Sequence, residues 1–246
     1  MAKHRAQRSK KTKKKSKIIL IILICIFIYS TLNIGIWIIS NLKTKRQEAV
    51  TKQVIETTSS QGEKKVNINK LKQINEDAVG LIEIPNTNIN YPILQAKDNE
   101  YYLKKDIYKK YNTSGSIFMD YRNSQDFTDK NTVIFGHNLT LGMMFSELQN
   151  IQKGTIGKDV QAYIYIQDKK FTYKVFSSYK SEPIEEPINV NVADSKKFID
   201  EALEKSNIDF EVTPNEKDNI LTLSTCDNTG KKRILVHLVK ILEEAT

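Results

Sequence analysis

Apolar residues fall in one long block near the N-terminus and in short, separated runs after it. The block covers residues 18–40, which are 23 consecutive residues without a charge. At ~1.5 Å rise per residue, a helix of that length crosses a ~30 Å hydrocarbon core with room for tilt. Trp37 lies near its far end, where indole rings favour the membrane interface. An uncleaved transmembrane helix is the expectation. A cleaved signal peptide competes with it, but the run is long for one and no A-x-A-like site follows. Residues 41–68 are polar, with a Thr/Ser/Gly-rich middle, and are expected as a juxtamembrane stalk fading into a linker.

The pattern changes from residue 69, where the folded domain is expected to begin and run to 246. Leu71, Ile74, Ala78 and Val79 have helical spacing, with Asn67 or Asn69 as cap. Eight short runs rich in β-branched and aromatic residues follow, at 80–85, 89–94, 116–119, 131–137, 160–167, 170–179, 220–225 and 233–241. Asp168-Lys169 reads as a two-residue hairpin connection. Short helices are expected at 98–103 and 142–148, and an amphipathic one at 195–205 capped by Asp194 or Ser195. Strands without regular βα alternation predict a mostly β fold with helical insertions, built as an antiparallel barrel or sandwich.

Charge sharpens this picture. The net charge of +9 is the tail's: residues 1–17 hold nine Lys/Arg and no acid, and the remaining 29 basic residues match 29 acidic ones. A neutral globular part gives no footing for nucleic acid. The basic tail ahead of the apolar block predicts a cytoplasmic N-terminus, a single membrane pass and an extracellular domain.

Cysteine usage supplies the first chemistry. Cys25 lies in the apolar block, which leaves Cys226 as the lone thiol of the exported part. An exported cysteine without an intramolecular partner is a liability or a reagent. A reactive thiol needs a group that manages its proton. His4 is in the tail. His237 sits inside the last strand run, which favours a packed strand residue. His137 follows an apolar run at a strand end, where scaffolds present reactive groups, and is the candidate acid/base. Arg233 opens the last run, opposite Cys226 across a tight reversal at 227–232, where a guanidinium can donate to an oxyanion. On spacing alone two readings stay open: Arg233 as a surface side chain, and Cys226 as a small buried apolar residue. One thiol and scattered histidines give no metal-site spacing.

The residues Thr222-Leu-Ser-Thr-Cys226, Arg233 seven positions later, and Gly136-His137 after an apolar strand resemble a sortase. Asn88 to Gln95, Asp98 to Leu103 and Gly115 to Asn123 resemble class B in particular. The resemblance covers roughly residues 69–246. It implies an eight-stranded sortase β-barrel behind a transmembrane helix, and a cysteine transpeptidase that needs no cofactor. It implies Cys226 as nucleophile, His137 as general acid and base, and Arg233 as the group steadying substrate and oxyanion. Asn99, Leu103 and Ser224 would line the groove for the sorting signal, an Asn-Pro-x-Thr type in class B. The implied partners are secreted proteins with a C-terminal sorting signal, the membrane, and an amine of a lipid II-type cell-wall precursor. A pilin-polymerising sortase is the alternative enzyme, although the stalk shows no aromatic-bearing lid. A membrane-tethered binding module with a structural Cys226 is the alternative of another class.

Overall fold

The computed structural model describes residues 2–57, 64–139, 142–181, 188, 190–227 and 229–245. It divides into two compact units, Met1–Leu42 and Lys43–Thr246. Helix α1 runs from Ala2 to Val54. Within the first unit, residues 17–39 have the length and composition to cross a membrane, and none of this stretch is buried. Ile19, Phe27, Tyr29 and Trp37 are exposed on this helix. The basic tail at residues 2–17 continues the same helix.

The second unit begins before the expected boundary. Strand β1 (Ile55–Thr57) pairs antiparallel with β2 (Lys64–Val66). Val50, Val54 and Val66 are buried in one cluster with Leu71, Leu81, Leu94 and Tyr102. Val50, Val54 and Val66, expected in the stalk, therefore pack on the folded unit; the Ser/Gly-rich middle, from 58 to 63, lies outside the described residues. The next helix is α2 (Ile68–Ile74), capped by the Asn67 Oδ1, which accepts from the Lys70 N–H at 3.1 Å. It stops short of the expected Val79. The Asn75 side chain accepts from the Asp77 N–H at 3.0 Å, an Asx-type turn that redirects the chain. Ala78 and Val79 then open a strand.

The eight predicted strands close into a barrel. They are β3 (Ala78–Glu83), β4 (Asn90–Leu94), β5 (Ile117–Met119), β6 (Asn131–Phe135), β7 (Gln161–Ile166), β8 (Lys169–Ser181), β9 (Ile220–Cys226) and β10 (Arg233–Ala245), in the spatial order β10-β8-β7-β3-β4-β5-β6-β9. Six of the strand pairs are antiparallel; β4/β5 and β6/β9 are parallel. Parallel neighbours cannot be joined by a tight hairpin. Long crossings are required, and they carry the remaining pieces. The β4–β5 crossing holds a single 3₁₀ turn at Tyr101–Leu103, while α3 (Leu148–Gln152) and α4 (Ser195–Lys205) lie between β6 and β9. Helix α3 sits further along than the expected 142–148, because Gly142 and Met144 hold positive φ and interrupt any earlier turn of helix. Helix α4 forms as expected, with the Asp194 carboxylate accepting from the Lys197 N–H at 2.9 Å.

Alternation sorts the faces. Ile134, Leu221, Leu223, Ile234 and Val236 fill the interior. Outside, the N-terminal cluster covers Phe118 and flanks Phe135, and α4 lays Ile199 and Ala202 on Phe176, Ile220 and Val239. Thr222, Ser224 and Cys226 alternate with the interior leucines of β9 and face outward, between those two coverings.

Candidate active site

Sheet register gathers the candidates. Phe135 of β6 pairs with Ser224 of β9 in parallel, so His137 and Cys226 each lie two residues beyond the same level. On the other side of β9, Arg233 is the direct antiparallel partner of Cys226. The three predicted residues therefore occupy the ends of three adjacent strands, with the cysteine on the middle one. Cys226 is exposed. The Arg233 guanidinium donates to the Ser224 Oγ at 3.5 Å and lies 6.0 Å from the centre of the Phe135 ring.

The segment after β6 is stapled to the end of β9. The Gly136 N–H donates to the Ser224 carbonyl at 3.1 Å. Asn138 Nδ2 donates to the Cys226 carbonyl at 2.8 Å, and Gln149 of α3 donates to the Asn138 Oδ1 at 3.0 Å. Asn138 is the last letter of Gly-His-Asn, but nothing in its spacing announces a bond to a strand residue 88 positions away. Only glycine fits at 136, since a Cβ there would lie 2.8 Å from the Phe145 ring.

His137 is positioned by the β4–β5 crossing. Its Nε2 lies 2.8 Å from the Leu103 carbonyl oxygen. A carbonyl only accepts, so Nε2 carries the hydrogen and Nδ1 is left as the nitrogen free to gain or lose a proton. Gly115, at φ +59°, backs this arrangement: a Cβ would come within 2.6 Å of the Tyr102 oxygen, 2.7 Å of the Leu103 oxygen and 3.0 Å of the imidazole. Below it, the buried Tyr102 hydroxyl donates to Asp77 at 2.6 Å and accepts from Asn75 at 2.8 Å. The turn that holds the imidazole is thereby anchored to the end of α2.

The loop between β9 and β10 is organised by Asp227. Its Oδ1 accepts from the Thr229 hydroxyl at 2.7 Å and the Thr229 N–H at 3.0 Å. The Thr229 hydroxyl, helped by backbone N–H groups of the loop, holds this carboxyl below the usual range. Asp227 thus fixes the reversal that sets Arg233 opposite Cys226.

The other predicted residues divide. Leu103 and Ser224 come to the centre, the first through its carbonyl on His137 and the second beside Arg233. Asn99 lies elsewhere, donating to Asp120 at 2.9 Å and accepting from the Tyr121 N–H at 3.0 Å. His237 is fully packed: Nδ1 lies 2.9 Å from the Thr222 hydroxyl and Nε2 3.2 Å from the Tyr179 hydroxyl, with the rings of Phe176 and Phe198 around it. Burial, with Lys205 adding, pushes its pKa down to about 3. Among the described residues no cluster of three or more His, Cys, Asp or Glu is arranged to hold a metal ion.

Comparison with known proteins agrees with this geometry. The family model for the sortase domain matches residues 82–241. Sortase B of Listeria monocytogenes is 31% identical over 220 residues, covering 82% of this chain and 85% of that protein. Sortase B of Staphylococcus aureus is 36% identical over 181 residues, covering 70% and 73%. The crystal structure of Clostridium perfringens sortase B superposes with a TM-score of 0.66 at 31% identity, covering 71% of this chain and 99% of that one. The chain belongs to the sortase family as a class B sortase, a cysteine transpeptidase that works on proteins bearing sorting signals and on cell-wall precursor amines.

Proposed function

We propose that this chain attaches secreted proteins to the cell wall from the outer face of the membrane. Its basic tail stays in the cytoplasm, residues 18–40 cross the bilayer once, and the barrel stands outside. It cuts a C-terminal sorting signal of Asn-Pro-x-Thr type after the threonine and passes the acyl group to an amine of a lipid II-type precursor.

The Cys226 thiolate attacks the threonine carbonyl, and Arg233 donates to the resulting oxyanion. Collapse breaks the peptide bond, and the leaving amine takes a proton from Nδ1 of the His137 imidazolium. A thioester on Cys226 remains. The acceptor amine then attacks this thioester while neutral His137 takes its proton. Collapse expels the thiolate and leaves a new amide bond. Ser224 and Leu103 border the reacting carbonyl.

The observation that carries this reading is the convergence of His137, Cys226 and Arg233 on three neighbouring strand ends. The test uses the full chain in detergent micelles with a sorting-signal peptide and an amine acceptor. Cys226→Ala and His137→Ala are expected to lose turnover by at least about 10³-fold, and Arg233→Ala by about 10²-fold. His237→Gln is expected to stay active. Turnover that survives His137→Ala but is lost in His237→Gln contradicts the assignment.

A further inference from the structure

The β4–β5 connection carries a surface that the reaction does not use. After Leu103 the chain runs out and back as a small hairpin. Lys105 pairs with Tyr111 across it, the Asn112 N–H donates to the Lys104 carbonyl at 3.0 Å, and the Lys109 N–H closes the tip on the Asp106 carbonyl at 2.9 Å. The Ser116 hydroxyl holds the base, donating to the Lys105 carbonyl at 2.8 Å. Ile107 turns inward and is buried, whereas Tyr108 at the tip is 46% exposed and Tyr111 59%. The Lys105 ammonium lies 5.9 Å from the centre of the Tyr101 ring, which is also exposed. Tyr101, Lys105 and Tyr111 are therefore neighbours on the outside of the hairpin.

Charge gives this surface a sign. Residues 101–111 hold four lysines and one acid, in a chain that is balanced beyond its tail. The acid, Asp106, is buried, and its Oδ1 accepts from the Tyr108 N–H at 3.0 Å and the Lys110 N–H at 2.9 Å. Lys109 is committed to Glu76 at 3.0 Å and Asp77 at 3.1 Å. Lys104, Lys105 and Lys110 leave the hairpin with a positive excess. The buried face bounds its distance from the membrane. Ile107 packs in the cluster that holds Val50 and Val54. Val50 comes 11 residues after Ile39, where the apolar stretch ends (50 − 39 = 11). At ~3.6 Å per residue the linking chain reaches no further than ~40 Å. The cluster under the hairpin is therefore tethered within that distance of the bilayer. Tyrosine rings settle at the headgroup level, and lysines near an anionic leaflet are drawn to its phosphates.

We propose that the hairpin at residues 104–111 docks on anionic lipid headgroups of the leaflet beside the barrel, with Tyr108 and Tyr111 at the interface and Lys104, Lys105 and Lys110 on phosphate. The proposal rests on the membrane-anchor reading above. Leu103, whose carbonyl holds His137, begins the same connection. Docking therefore keeps the catalytic strand ends near the surface that presents a lipid-borne amine.

The test places the full chain in nanodiscs of phosphatidylcholine, in nanodiscs of phosphatidylcholine with phosphatidylglycerol, and in detergent micelles. Lysines are acylated by a soluble amine reagent and the rates read by mass spectrometry. Lys104, Lys105 and Lys110 are expected to react at least about fivefold more slowly in the anionic nanodiscs, with the protection lost at high salt. Lys197, exposed on α4, is expected to keep its rate within about twofold. A triple variant, Lys104→Gln with Lys105→Gln and Lys110→Gln, extends the test to transfer. In the anionic nanodiscs its transfer of a signal peptide to a glycine amine linked to a phospholipid is expected to fall at least about threefold. Transfer to soluble glycine amide is expected to stay within about twofold, which also shows that the variant folds. Equal labelling in neutral and anionic nanodiscs, or an equal loss with both acceptors, overturns the proposal while leaving the anchor and transpeptidase readings intact. Protection that persists in micelles also overturns it, because a protein surface such as a second copy then covers the hairpin. A chain that does not enter nanodiscs removes the anchor reading and the proposal with it.

Discussion

His137 and His237 show how far one side chain's role depends on its placement. His137 ends a strand, with its Nε2 hydrogen committed to the Leu103 carbonyl. His237 lies four residues into β10, closed in by rings and by Thr222 and Tyr179. The distinction was legible in the sequence, because the strand-end position separated the two histidines. The support behind His137 was not legible, because Gly115 reads as an ordinary break between elements. Gly115→Ala is expected to displace the imidazole and lower kcat by roughly 10–100-fold, with the protein still folded by circular dichroism. Unchanged kcat would mean that the neighbouring carbonyls yield instead. His237 carries a pH signature of its own. Its folded pKa is depressed from 6.5 to about 3. Between those values the unfolded chain binds a proton that the folded chain refuses. Stability is therefore full above pH 6.5 and falls as pH drops, by up to ~1.4 kcal/mol per pH unit. Melting temperatures from pH 7 to 5 should fall more steeply for the wild type than for His237→Gln; equal slopes would contradict this.

At the scale of elements, periodicity located all eight barrel strands and α4, because their alternation and caps are strong local signals. It overran α2 and placed α3 too early. In both cases turn chemistry decided: the Asx turn at Asn75, and the positive φ at Met144. Pairing was out of reach of periodicity, so the parallel β6/β9 neighbours that bring His137 to Cys226 could only be implied by resemblance. The polar majority of 50–66 hides Val50, Val54 and Val66 from a pattern-based expectation, which gives a stalk there. These valines pack on Leu71 and Leu81, and the same cluster contains Tyr102, which anchors the turn under His137. A chain starting at residue 69 is therefore expected to melt roughly 5–15 °C below one starting at residue 43. It should also show a lower kcat, since Tyr102 loses part of its packing. Equal melting temperatures would restore the stalk reading.

At the scale of the whole molecule, charge and hydropathy assign different work to different parts. The excess positive charge stays in the tail, the uncovered apolar helix follows it, and the charge-balanced barrel carries the chemistry. The barrel's lone thiol is intelligible as a reagent in the proposed mechanism, because His137 and Arg233 stand at the neighbouring strand ends. In the proposed reaction Cys226 carries the acyl group between donor and acceptor. Intact-protein mass spectrometry of the full chain, mixed with a sorting-signal peptide without an amine acceptor, reads this out. One adduct with the mass of the acyl fragment ending in threonine is expected, localised to Cys226 and discharged on adding the amine. No adduct is expected in Cys226→Ala. An adduct on another residue, or amide transfer by Cys226→Ala, would contradict it.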